Sequence, residues 1–150
     1  MAIIREEKSN SRFKQLLAPV AIAADKDDID ALDVTGFDTA SFMVTVGAHD
    51  NNNVPDGNNH LQVKLTHSND NVNFTACDDH DVLTSLQGML ATGTFASIAA
   101  APDENTAFMA GYTGDKRYVR PVITRTGNVG NGVILGISAI MQGTKYRPVE

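Results

Sequence analysis

The most constraining feature of this sequence is a set of short segments in which apolar residues recur at every second position. Residues 61–66 read LQVKLT, and the segments 41–46 and 133–142 are rich in β-branched and apolar residues. A period of two is typical of a β-strand with one buried face, whereas an amphipathic helix has a period near 3.6. The chain is therefore predicted to consist mainly of β-strands.

Clusters of turn-forming residues separate these segments at intervals of roughly 8 to 12 residues. The longest cluster is DNNNVPDGNN at 50–59, and shorter ones stand at 68–71, 102–105 and 126–132. Asn, Asp, Gly and Pro favour turns for separate conformational reasons. With 150 residues, the chain has the length of one domain. We predict an all-β, single-domain antiparallel β-sandwich, for which a jelly-roll arrangement is one option.

Several strands can be placed more closely. Residues 61–66 and 72–76 are predicted to form a hairpin, and 94–99 and 107–112 to be strands joined by the turn at 102–105. The segment 82–91 is ambiguous, because its apolar spacing suits a helix but Gly88 weakens one. Residues 116–125 alternate strongly, and Pro121 predicts an edge position or a bulge there.

The first 18 residues differ from the rest of the chain. They are basic, with Arg5 and Arg12 among four cations, whereas the whole protein has a net charge of -6. Phe13, Leu16 and Leu17 have the i, i+3, i+4 spacing of a short helix, and Pro19 would end it. We predict an N-terminal arm at 1–18, either extended or a short helix, followed by the β-sandwich domain at 19–150.

Composition and motifs exclude several function classes. A net charge of -6 makes nucleic acid an improbable partner, and no apolar segment approaches the roughly 18 residues of a membrane helix. The nucleophile-elbow, phosphate-loop and dinucleotide-binding patterns are all missing from the sequence. We therefore expect a protein that is not an enzyme, with no catalytic residue, no cofactor, and no nucleic-acid or membrane partner.

Two groups of potential metal ligands stand out. Cys77 and His80 lie three apart, and five aspartates are spread over 25–33. A structural zinc site generally requires four ligands, and calcium requires six to eight oxygens in an ordered loop. Solvated acidic turns explain both groups more simply, so the sequence predicts no metal site.

The most distinctive segment is GYTGDKRYVR at 111–120. Its cations and tyrosines suit either ion pairs with nearby aspartates or a binding stripe, since Arg and Tyr are enriched in protein interfaces. Arg117 and Arg120 are three apart and so point to opposite sides of a strand. We expect Arg117 to face the interior beside Val119 and Ile123, and Arg120 to face outward.

The pattern GYxGxKRYVRP at 111–121, the turn at 68–71 followed by Phe74, and the terminal pair Arg147 and Pro148 resemble small structural proteins from the head modules of tailed bacteriophages. The resemblance spans about residues 30–148 and is closest to capsid decoration, or cement, proteins. It implies a virion protein, made in the host cytoplasm, that binds the exterior of the capsid and stabilises it. Its implied partners are the major capsid protein and further copies of itself, as a dimer or trimer.

Two alternatives stay open at this point: a phage tail or head–tail connector component, and a carbohydrate- or receptor-binding β-sandwich module. Residues of the basic arm and of the segment 111–120 are the candidates for capsid or subunit contacts. They are Arg5, Arg12, Phe13, Leu16, Leu17, Tyr112, Lys116, Tyr118 and Arg120.

Overall fold

A computed structural model describes residues 10–86 and 90–144, which form two antiparallel sheets packed face to face. The all-β sandwich prediction is confirmed. The strands are β1 (Ser11–Ile22), β2 (Leu32–Asp33), β3 (Phe37–His49), β4 (His60–Ser68), β5 (Thr75–Ala76), β6 (Val82–Leu83), β7 (Thr94–Ile98), β8 (Ala107–Tyr112), β9 (Tyr118–Thr126) and β10 (Val133–Thr144).

The strand order is that of a jelly roll. Sheet A runs β1-β10-β3-β8-β6, and sheet B runs β2-β9-β4-β5, with β7 also paired to β4. The pairs are nested: β1 with β10, β2 with β9, β3 with β8, and β4 with β7. This is one long antiparallel hairpin rolled into two sheets, so the jelly-roll option is the arrangement observed.

The core lies between the inner faces of the sheets. On β3, Phe42 and Val44 are fully buried, and Leu135 on the neighbouring β10 lies beside them. Leu61 and Val63 of β4 face them from sheet B and are also fully buried. The alternation that predicted β4 therefore has its expected cause, a strand with one face in the core and one outside.

Residues 10–18 are not a separate arm. The strand β1 includes Pro19 and pairs with β10 from Ser11 to Ile22, with register shifts between Gln15 and Leu17 and between Leu17 and Val20. The helix alternative is wrong, and the predicted boundary at Pro19 falls inside a strand. A helix this short is marginal on its own, so pairing with β10 and burial of Leu16 decide the conformation. Residues 1–9, including Arg5, lie outside the described residues.

Most of the predicted strands are present, but their partners differ from the simplest expectation. The hairpin of 61–66 with 72–76 is reduced to two residue pairs between β4 and β5. The strands β7 and β8 follow one another along the chain, yet they belong to different sheets. Between them the chain forms a short 3-10 helix, Ala101–Asp103, and crosses from sheet B to sheet A.

The ambiguous segment 82–91 supplies only the two-residue strand β6 among its described residues, and 87–89 lie outside them.

Pro121 lies between two contacts on the same side of β9, the Leu32–Val119 pair and the isolated Lys26–Ile123 bridge. Its missing N–H thus falls where that ladder is interrupted, as a proline requires. The described part of the chain contains no helix with the length and hydropathy needed to span a membrane.

Candidate binding surfaces and a buried polar cluster

The outer side of sheet A carries three rows of side chains that run across its strands. Residues paired directly across antiparallel strands share a face, so the registers define the rows. We call this surface the A face. Its first row is Phe13, Ile140, Ser41, Gly111 and Leu83, the second is Gln15, Ser138, Met43 and Met109, and the third is Gly136, Thr45 and Ala107.

Every residue of the A face is uncharged, although charged residues make up 20% of the chain. Three of its large apolar side chains are strongly exposed: Phe13 at 63%, Leu83 at 66% and Met109 at 63%. Arg12 and Lys14 lie on the same edge strand as Phe13 but pair with Met141 and Ala139, so they point to the opposite side of sheet A. An exposed group of large apolar side chains without charged residues among them is typical of a protein–protein contact surface.

The outer side of sheet B has a different character. Its paired rows, which we call the B face, combine cations with hydroxyl and amide groups. Arg120 stacks on Phe74, with the guanidinium carbon 4.0 Å from the ring centre. The Arg120 Nε is buried and lacks a hydrogen-bond partner among the described residues. The B face consists of Gln62, Lys64, Thr66, Tyr118, Arg120, Val122 and Thr124.

The expected roles of the two arginines are corrected by the structure. Arg117 precedes β9 and is exposed, and its guanidinium binds the Asp33 carboxylate at 2.9 Å. It does have the expected carboxylate partner, but at the surface rather than in the interior. Arg120 is the more enclosed of the two. Val119 and Ile123 point inward from β9, as expected. Arg117 does not share their position because it lies before the strand begins.

The Asp33 carboxylate also accepts a hydrogen bond from the backbone N–H of Thr35. The hydrogen bond from Arg117, together with this backbone contact, lowers the pKa of Asp33 from 3.8 to about 2 despite partial burial. The guanidinium of Arg117 also lies 4.9 Å from the centre of the Tyr118 ring. These contacts tie the start of β9 to β2.

The predicted contact residues fall on separate regions of the molecule. Arg12 and Phe13 are exposed on β1, whereas Leu16 is buried and Leu17 packs against the core. Tyr118 and Arg120 lie on the B face, and Lys116 precedes them in the loop. Tyr112 is buried and points inward. The segment 111–120 and β1 therefore do not form one continuous binding stripe.

A buried polar cluster brings together side chains from β4 and from the loop between β5 and β6. A ring nitrogen of His67, the Cys77 sulfur and an Asp81 carboxylate oxygen all lie within 4.8 Å of one another. His67 belongs to β4, Cys77 follows β5, and Asp81 precedes β6. The Tyr112 hydroxyl lies 3.0 Å from His67 Nδ1.

Burial raises the pKa of both the Cys77 thiol and the Tyr112 hydroxyl to about 12, and nearby carboxylates add to the effect. Both groups are therefore protonated at neutral pH. The Tyr112 oxygen accepts a hydrogen bond from the backbone N–H of Lys116 at 3.0 Å. His67 Nδ1 lies within hydrogen-bond distance of the same hydroxyl, and the tautomer of His67 decides which of the two groups donates.

Sequence reasoning singled out Cys77 with His80, but His80 is exposed and takes no part in the cluster. The members that join Cys77 are His67 and Asp81, ten residues before it and four after it. The aspartates of 25–33 diverge instead: Asp25 accepts the backbone N–H of Arg125, Asp28 pairs with Lys26, and Asp33 binds Arg117.

Comparisons with known protein families, with curated protein sequences and with solved structures found no match to this chain. Functional conclusions therefore depend on the surfaces and the cluster described above.

Proposed function

We propose that this protein is a structural virion protein that binds the outer surface of a phage capsid and stabilises it, by docking through the A face. The observation that carries the proposal is the uncharged outer side of sheet A. The resemblance of the segment 111–121 to capsid decoration proteins supports the same role. Jelly rolls are frequent among viral and lectin domains, but a fold alone does not determine function.

The absence of charged residues makes the A face suitable for docking. Burying an unpaired charge in an interface costs several kcal/mol, and the fully buried centres of interfaces are depleted in charged residues. The A face can be covered without that cost. The B face cannot, because Lys64 and Arg120 would need partners on the opposing surface.

The size of the A face indicates how it would bind. Five strands about 4.8 Å apart and three rows about 7 Å apart make a face on the order of 400 Å². A standard interface buries about 800 Å² on each partner. The A face would thus form the centre of a contact that is weak for one copy. Many copies held on one lattice, or joined as a dimer or trimer, would bind much more tightly.

The test is binding of the full chain to empty capsids of the virus or prophage that encodes it, measured by co-sedimentation. We expect saturation at a fixed number of copies per shell. Met109→Asp places a carboxylate on the A face and should weaken binding at least tenfold. Val72→Asp makes the same change at an exposed apolar residue, 76% exposed, outside the A face, and should bind like the wild type.

Wild-type protein that fails to sediment with capsids would overturn the proposal. Equal binding by the two variants would overturn the role of the A face. Electron microscopy of whole particles separates the remaining candidates. Density on the shell supports decoration, whereas density confined to the tail or the head–tail junction supports a tail or connector component. Binding to host glycans without particle binding would support the carbohydrate- or receptor-binding module.

A further inference from the structure

We infer that His67, Cys77 and Asp81 form a binding site for a thiophilic divalent cation, of which Zn²⁺ is the best match. The three side chains supply a nitrogen, a sulfur and an oxygen ligand, which is a donor set that suits zinc. In the part of the chain that the structure describes, these three side chains form the group of potential metal ligands whose ligand atoms lie close together. This inference is independent of the proposed function.

The distances suit binding after a small closure. With ordinary zinc–ligand bond lengths, a tetrahedral site places its ligand atoms about 3.3 to 3.7 Å apart. The three ligand atoms lie within 4.8 Å of one another, and His67 Nδ1 is 3.9 Å from the nearer Asp81 oxygen. The ligand atoms that lie farthest apart would move closer by about 1 to 1.5 Å. Asp81 Oδ2 also accepts the backbone N–H of Asp78 at 3.1 Å, so the turn from Asp78 to Asp81 already holds this carboxylate beside the cluster.

The orientation of His67 favours a ligand role. The Tyr112 hydroxyl accepts the backbone N–H of Lys116 and lies 3.0 Å from His67 Nδ1, so this ring nitrogen faces the cluster. A cation at Nδ1 would require the tautomer with the ring proton on Nε2 and would take the place of the Tyr112 hydroxyl at the Nδ1 lone pair. On binding, the cation would replace the proton of the Cys77 thiol, which passes to solvent. The fourth position would fall to the Tyr112 hydroxyl or to water.

The location indicates a structural role for the ion. His67 lies on β4 of sheet B, whereas Asp81 directly precedes β6 of sheet A. The Asp81 carbonyl accepts the backbone N–H of Thr113, and the His80 carbonyl accepts the Thr113 hydroxyl. A cation at the cluster would therefore connect the two sheets at the point where the chain crosses between them.

The experiment is a Co²⁺ titration of the full-length protein after chelation and dialysis, because Co²⁺ reports a thiolate ligand by a charge-transfer band. We expect one equivalent to bind with a Kd below about 1 µM, and Zn²⁺ to displace it. Zn²⁺ at 100 times its Kd should raise the Tm by at least about 5 °C. Cys77→Ser should abolish the charge-transfer band.

Asp81→Asn keeps the side-chain shape at a partly exposed position, so it tests the site even where Cys77→Ser fails to fold. It should weaken Co²⁺ binding at least tenfold. His80→Gln is the matched control, because His80 lies next to Asp81 but its side chain is exposed; it should bind like the wild type. The inference is overturned if wild-type protein at 100 µM shows no band, or if His80→Gln weakens binding as much as Asp81→Asn.

Discussion

The two outer faces of this sandwich are built on the same scaffold and differ in chemistry. The A face presents twelve uncharged residues, with Phe13, Leu83 and Met109 strongly exposed. The B face carries Lys64 and Arg120, and Arg120 is held against Phe74. Both sheets bury similar aliphatic residues on their inner sides, so the core does not impose the difference.

The outer residues of sheet A depart from the usual pattern of a sheet that has one face in solvent. An antiparallel sheet with one face in solvent usually shows polar residues there, in clean alternation with the buried ones. The outward positions of β4 follow that rule, with Gln62, Lys64 and Thr66. The outward positions of β3 and β10 include Met43 and Ile140 instead. This departure from the rule extends over several strands and is the feature on which the proposed docking role depends.

The largest predicted effect separates the inner and outer sides of β1. Leu16→Ala removes a side chain that is only 8% exposed and should lower the free energy of unfolding by about 2 to 3 kcal/mol. Phe13→Ala, on the A face, should change it by less than about 0.5 kcal/mol while weakening capsid binding. Urea unfolding and co-sedimentation measure the two effects. A large stability loss for Phe13→Ala would show that the A face serves the fold.

A smaller effect concerns the two arginines at β9. Arg120→Ala loses the stack on Phe74 and the packing of a half-buried stem, so it should cost about 1 to 2 kcal/mol. Arg117→Ala removes an exposed ion pair and should cost less than about 1 kcal/mol. Thermal melts of the two variants provide the measurement. A larger loss for Arg117 would restore the original expectation that it is the structural arginine.

The smallest predicted effect is a pH dependence of the free energy of unfolding that comes from Asp33, at the edge of sheet B. Because the pKa of Asp33 falls from 3.8 to about 2 in the folded protein, the unfolded chain binds more protons between these values. The stabilisation is therefore present above about pH 4 and is lost as the pH falls towards 2. For this surface pair it amounts to less than about 1 kcal/mol.

Urea unfolding at pH 5 and at pH 2 measures this dependence. Asp33→Asn should reduce the stability difference between the two pH values, whereas the exposed Asp30→Asn should leave more of it in place. An unchanged difference in Asp33→Asn would mean that the Arg117 contact contributes nothing in solution.

The sequence predicted strand positions better than strand partners. Alternation at 61–66 and the apolar segments 41–46 and 133–142 located β4, β3 and β10, because period and burial are local properties. The nested pairing joins residues far apart, such as Phe13 with Ile140, and no local pattern encodes it. The helix expected near Phe13 failed for the same reason, since its competitor was a distant strand.

The candidate sites show the same difference between features that a local sequence pattern reveals and features that only the folded chain brings together. Phe13 was chosen from the spacing of a short helix that the structure does not contain, and the cations of 116–120 from residue type. The A face was missed as a unit, because its rows draw on five strands and emerge only from their registers. The cluster of His67, Cys77 and Asp81 was missed because the chain folds back on β4 after Ser68, which brings Cys77 beside it. The sequence feature that could have pointed to this cluster was the presence of a single cysteine.

The most direct test of the account asks which face becomes covered on the particle. Ser41→Cys and Thr124→Cys place a thiol at half-buried positions on the A face and the B face, and native Cys77 is buried and reacts slowly. Maleimide labelling is measured for free protein and for protein bound to capsids. The account predicts that binding slows labelling of Ser41→Cys at least tenfold and leaves Thr124→Cys nearly unchanged. Protection of Thr124→Cys alone, or of neither position, would contradict it.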